Sequence, residues 1–150
     1  METLITRDWA ATTFIVQEQR TLLLLHRKLN KWLPPGGHID PHELPDAAAL
    51  REVAEETGFK VALIDAGEAL GAVQRLAQPL CILQEQISPT HEHIDLIYVA
   101  RVLDGDLKLA ITEHEQSRWY TWDELDAPEV AHDVCLLGRK AIELVKQATA

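Results

Sequence analysis

The sequence predicts an α/β fold in which a mixed sheet is covered by helices on both sides. Strand-like segments lie before and after one central helical segment, and a second amphipathic segment closes the chain. No repeat, linker or low-complexity stretch divides these elements, so the 150 residues read as one domain with a proper core.

Taken in order, Trp9 to Val16 (WAATTFIV) is rich in β-branched and aromatic residues and reads as a strand. Gln17 to Arg20 is a polar turn, and Thr21 to Arg27 (TLLLLHR) is a continuous apolar run suited to a central strand buried on both faces. Lys28 to Trp32 forms a basic loop with one aromatic. Leu33-Pro34-Pro35-Gly36-Gly37 cannot be helical, because the prolines fix φ and remove donors while the glycines allow close backbone approach. Pro45 to Thr57 is the central helix, with Gly58 where a left-handed C-cap belongs. Lys60–Ile64 reads as a strand. The following stretch, 65–78, places a strand around Leu70–Val73 and a loop shaping a pocket. Leu80–Ile87 and Ile94–Leu103 are strands joined by a hairpin loop over Ser88 to His93, and Asp104-Gly105-Asp106 marks a turn. Arg118–Trp122 is a further short strand, and a brief helical turn begins at Asp123. The terminal helix runs from about Ala131 to Lys146, with Leu137, Ala141, Leu144 and Val145 as its apolar stripe.

Net charge is −10, which excludes sequence-independent binding to a nucleic acid. It does not exclude small phosphorylated substrates, because bound metal ions invert the local charge. Cys81 and Cys135 have neither ligand spacing nor a disulfide framework and read as free thiols of a reducing compartment. The start of the chain has no basic region followed by an apolar one, and no apolar run approaches a membrane span. A soluble, cytoplasmic monomer or homodimer without membrane partners is expected.

The most informative stretch is 37–59, GHIDPHELPDAAALREVAEETGF. On its helix, at about 100° per residue, Ala47, Leu50, Val53, Ala54 and Thr57 fall on one side. Glu52, Glu55 and Glu56 gather opposite, beside the small Ala48 and Ala49, with Arg51 flanking the two faces. Like charges three or four residues apart cost roughly 0.2–0.5 kcal/mol each. They also lie in the last turns, where the macrodipole disfavours negative charge. A divalent cation converts this frustration into binding energy, and such an array of hard oxygens suits Mg²⁺, with Mn²⁺ as a substitute.

This segment resembles the Nudix box, G-x5-E-x7-R-E-U-x-E-E-x-G-U, at every fixed position. Gly37, Glu43, Arg51, Glu52, Glu55, Glu56 and Gly58 are in place, with Val53 and an aromatic Phe59 at the apolar positions. The resemblance implies a Nudix-type α/β/α sandwich with a mixed central sheet and one catalytic helix. It also implies Mg²⁺-dependent hydrolysis of a nucleoside diphosphate linked to another moiety, or of a nucleoside triphosphate, by metal-activated water attack at phosphorus. By the same resemblance, Glu52, Glu55 and Glu56 share metal ligation and water activation. A backbone carbonyl at Gly36 is a further metal ligand, and Glu43 and Arg51 pair to support the helix. Relatives add an acid from a distant loop. Glu113 and Glu115 are the candidates, with Glu113 favoured as the additional catalytic acid. Arg27, Lys28, Lys31, Trp32 and His38 are candidate substrate contacts, Trp32 by stacking on a base.

His91-x-His93-x-Asp95 invites a metal reading, since alternate residues share a strand face, but imidazole favours softer metals than the carboxylate array. A polar strand start is the expected role. The competing class is a catalytically silent Nudix-fold nucleotide-binding or regulatory module, which typically lacks box acids; none is missing here. An isomerase branch of the family uses a catalytic cysteine in its own motif, and the apolar contexts of Cys81 and Cys135 do not resemble it.

Overall fold

The computed structural model describes residues 2–110 and 113–148. Ten strands and two α-helices follow in the order β1 (Thr6–Gln17), β2 (Arg20–His26), β3 (Lys31–Leu33), β4 (Gly36–His38), α1 (Pro45–Thr57), β5 (Lys60–Leu63), β6 (Glu68–Leu70), β7 (Val73–Arg75), β8 (Cys81–Ser88), β9 (His91–Asp104), β10 (His114–Thr121) and α2 (His132–Ala148) among the described residues. A single 3-10 turn, Glu124–Asp126, precedes α2.

Eight strands form one mixed sheet, built on the long pair β1 and β9. These run parallel from Thr6↔His91 to Val16↔Arg101, and the other pairings are antiparallel. On its other edge β1 changes partner midway. Its first half pairs with β4 and its end with β2, while Pro35 O accepts the Thr13 amide between them. β9 likewise divides, meeting β8 along its first half and β5 along its second.

Alternation along the strands sorts the core into two layers. Phe14, Val16, Leu23, Ile97 and Val99 pack with Val134, Ala141, Ile142 and Val145 of α2. Ile15, Leu22, Leu24 and Ala100 pack against Val53 and Phe59, and Ala11, Leu96 and Tyr98 against Ala48 and Ala49. The sheet is therefore buried on both faces, as the apolar run of β2 demands. The expected α/β/α sandwich is the observed one. No helix among the described residues is long and apolar enough to cross a membrane.

Four details differ from the sequence expectations. β3 and β4 replace the expected basic loop and irregular turn: each is three residues long and takes its pairing from β2 or β1, which no periodicity reveals. Leu70 and Val73 are the paired ends of two short strands, β6 and β7, and not one strand, because the chain turns between them at Gly71, φ +64°. β10 begins at His114, four residues before the expected Arg118. The fourth difference concerns the facing of α1. Ala48, Ala49, Val53, Glu56 and Thr57 are buried, whereas Leu50 is exposed, as are Ala47 and Ala54. The small alanines let the helix lie close on the sheet and carry the side holding Glu52 and Glu56 inward.

Candidate active site

The helix that presents the acids is bounded by local chemistry. Pro45 occupies the first turn, and Gly58 at φ 78° returns its N–H to Ala54 O at 2.9 Å. The carbonyls left over at the end are met by the loop after β9: Lys108 N–H donates to Thr57 O at 2.7 Å and Ala110 N–H to Glu56 O at 3.0 Å. That loop leads into Glu113 and His114, so the helix end fixes where these two residues stand.

Glu56 is at the centre. It is 3% exposed; Oε2 accepts the Gly36 amide at 2.8 Å and Oε1 lies 3.0 Å from His114 Nε2. Burial pushes its carboxyl up to about 7, against the lowering effect of His114. His114 is equally buried, and its Nδ1 has no partner among the described residues. Glu113 stands 3.8 Å from His114 Nε2, and its carboxylate, that of Glu56 and the imidazole present ligand atoms within 4.8 Å of one another. A Cβ on Gly36 would come within 2.7 Å of Ala11 O, and one on Gly37 would overlap the Glu52 carboxylate. The double glycine is thus what lets backbone and acids meet.

A second network holds the outer acids. Arg51 donates to both oxygens of Glu43, at 2.7 and 2.9 Å, to Glu52 at 3.0 Å, to Glu55 at 3.1 Å and to His38 O at 3.0 Å. This fork-to-fork bond lowers Glu43 to about 2, with help from the Asp40 amide. Glu52 is raised by burial even though Arg51 opposes it.

The acids open into a cleft of about 590 Å³ on the α2 side of the sheet. Gly36, Gly37, His38, Glu52, Glu56, Glu113 and His114 line it, together with Glu85, Asp95, Asp133 and Leu137. Asp95 is 5% exposed and accepts from Thr12 Oγ1 at 2.9 Å, with Glu85 beside it. Burial and the nearby Asp95 push Glu85 up to about 8.

The residues singled out in the sequence therefore separate. Glu52, Glu56, Gly36, Glu113 and His38 come together at the cleft, and Glu55, Glu43 and Arg51 flank them. Of the two distant acids, Glu113 reaches the box, whereas Glu115 is an exposed partner of Arg27 at 3.8 Å. Arg27, Lys28, Lys31 and Trp32 are not among the lining residues; Trp32 sits edge-on to Tyr120, ring centroids 6.0 Å apart. No residue of the 65–78 stretch lines the cleft either. Sequence reasoning passed over His114, Glu85 and Asp133. His114 had one available signal, its place beside Glu113, whereas the two acids are brought to the cleft by sheet register and helix packing.

Comparison with known proteins bears on the family and the fold. A family model for the NUDIX domain matches residues 6–137. A crystal structure of a NUDIX-family hydrolase from Clostridium perfringens superposes with a TM-score of 0.83 at 31% identity, covering 93% of this chain and 98% of that one. The pig bis(5'-nucleosyl)-tetraphosphatase [asymmetrical] is 32% identical over 104 residues, 69% of this chain and 64% of its own length. The mouse diphosphoinositol polyphosphate phosphohydrolase 3-alpha is 39% identical over 59 residues, 39% of this chain and 34% of its own. The chain thus spans less than two thirds of these two relatives.

Proposed function

The chain belongs to the NUDIX family, and from that premise we propose that it is a hydrolase of phosphoric anhydride bonds in a nucleotide. The substrate is a nucleoside triphosphate or a nucleoside diphosphate linked to another moiety. The supporting observation is the convergence of Glu52, Glu56, Glu113 and His114 on a glycine-lined backbone turn in the wall of a cleft large enough for such a molecule.

The donor set fits a divalent cation: the Glu56 and Glu113 carboxylates and the His114 imidazole present ligand atoms within 4.8 Å of one another, and the Glu52 carboxylate closes over Gly37, where a side chain would not fit. Glu52, Glu55, Glu56 and the Gly36 carbonyl are proposed to hold Mg²⁺, or Mn²⁺ in its place, with Glu113 completing the acid set. The ion, when bound, neutralises the phosphate oxygens and acidifies a water. The chain's own residues supply the rest. Glu56, braced by the Gly36 amide and His114, is positioned to take the proton from the attacking water. Glu43 holds Arg51, which keeps Glu52 and Glu55 from splaying apart through mutual repulsion. Glu43 and Arg51 are thus positioning residues. His38, at the cleft edge, is the contact best placed for the substrate. The free thiols of Cys81 and Cys135 suit a reducing compartment, and the proposed location is the cytoplasm.

The test is release of phosphate or nucleoside monophosphate from a panel with Mg²⁺: canonical and oxidised triphosphates, ADP-ribose, nucleotide sugars and dinucleoside polyphosphates. The pig relative's name makes dinucleoside tetraphosphates the first members to try. Turnover of one class, abolished by chelation, is expected. Nucleotide binding without turnover across the panel would favour a binding module instead.

A further inference from the structure

We propose that Asp8, His38, His91 and His93 form a second metal site, of a kind distinct from the carboxylate array, that takes one Zn²⁺-class transition-metal ion. The site does not depend on the activity proposed above.

Three neighbouring strands build it. In the parallel register β1 to β9, Thr6 faces His91 and Asp8 faces His93, while β4 sets His38 opposite Ala10 on the other edge of β1. Alternation then places Asp8, His38, His91 and His93 on one face of the sheet. Their donor atoms converge. His38 Nε2 lies 3.2 Å from His93 Nε2 and 3.6 Å from Asp8 Oδ2, and His91 Nε2 lies 3.2 Å from the same Asp8 oxygen. The ligand atoms of Asp8, His91 and His93 all fall within 4.8 Å of one another. Donors at zinc's bond lengths around a tetrahedral ion stand roughly 3.3 Å apart, and the His38–His93, His38–Asp8 and His91–Asp8 separations of 3.2 to 3.6 Å are of that size. The rings meet edge-on, His38 to His93 at 4.9 Å and His91 to His93 at 5.3 Å between centroids.

The surrounding contacts prepare the donors. Thr6 Oγ1 donates to Thr90 O at 3.3 Å and lies 2.8 Å from His91 Nδ1. With its proton committed to Thr90, the hydroxyl accepts from Nδ1–H, which leaves the His91 Nε2 lone pair turned toward Asp8. Such an outer bond fixes tautomer and ring orientation in metal-binding histidines. Three nitrogens and one oxygen suit zinc and its neighbours, whereas the all-oxygen array of α1 suits Mg²⁺. The two sites therefore sort ions by chemistry. Because His38 and His93 also line the cleft, the ion sits at its rim.

The experiment titrates the whole chain with Zn²⁺ at pH 7.5 in excess Mg²⁺, by calorimetry, and records the visible spectrum of the Co²⁺-loaded protein. One equivalent of Zn²⁺ should bind to wild type and to Glu56→Gln alike, with a tetrahedral-type Co²⁺ absorption band. His91→Ala and His93→Ala should each weaken Zn²⁺ binding by at least about tenfold and remove the band. Asp8→Asn, a substitution at a half-exposed side chain, should weaken it while circular dichroism stays unchanged, which covers the case of a histidine variant that fails to fold. The proposal is overturned if wild type binds no equivalent under these conditions. It is overturned equally if binding survives the histidine and aspartate substitutions and is lost in Glu56→Gln.

Discussion

Glu56 and Glu85 are both carboxyls whose ionisation burial opposes, yet they sit in different company. Glu56 has the Gly36 amide and His114 to stabilise its charge, whereas Asp95 and Asp133 near Glu85 add to the cost of ionising it. The folded carboxyl of Glu85 is raised to about 8 from an ordinary value near 4.5, so the folded state binds its proton more tightly than the unfolded one. Stability from this group is accordingly full below about pH 4.5 and is lost as pH rises through 8. Glu85→Gln should melt higher than wild type at pH 8.5 and at nearly the same temperature at pH 5; an equal difference at both would refute the assignment. The Glu43–Arg51 pair allows a second expectation. Glu43→Gln frees Arg51 to compete for Glu52 and Glu55, and should raise the Mg²⁺ concentration for half-maximal activity about tenfold, the size typical of outer-shell changes. An unchanged Mg²⁺ requirement would leave the pair a purely structural contact. Legibility at this scale follows sequence distance. Glu52, Glu55 and Glu56 announce themselves because their spacing alone juxtaposes like charges. His114 lies 58 residues from the carboxylate it touches, and that meeting is a product of the fold.

At the scale of elements, α1 was the most readable: proline at its start and glycine after its end mark Pro45–Thr57 in the sequence and in the structure alike. Its orientation was not, because apolar count favours the Ala47–Leu50–Ala54 side, whereas close packing selects the alanine-lined side that delivers Glu52 and Glu56. Gly58 at φ 78° also lies against Lys108, whose loop carries Glu113 and His114 onward. Gly58→Ala should cost on the order of 1 kcal/mol and lower the melting temperature by about 2–4 °C, with a further loss of activity through that loop. A melting temperature equal to wild type would show that the cap tolerates a side chain. The short strands β3 and β4 had no periodicity to betray them; each exists because a longer strand offers a free edge.

For the whole molecule, the division of β1 between β2 and β4 is the organising fact. It opens the sheet edge at Pro34-Pro35, sets the double glycine beside α1, and gives the acids of one helix layer access to a cleft in the other. The α/β/α layering was legible because apolar runs and alternation report burial on two faces. The cleft was not, since it depends on where paired strands part. The acids meeting at this opening are proposed to perform the chemistry. The most direct measurement is kcat for wild type and Glu56→Gln on the best substrate of the panel with saturating Mg²⁺, with melting temperatures recorded beside it. A fall of about 10²–10⁴-fold is expected with the fold intact. A Glu56→Gln variant that turns over within a few-fold of wild type would contradict it.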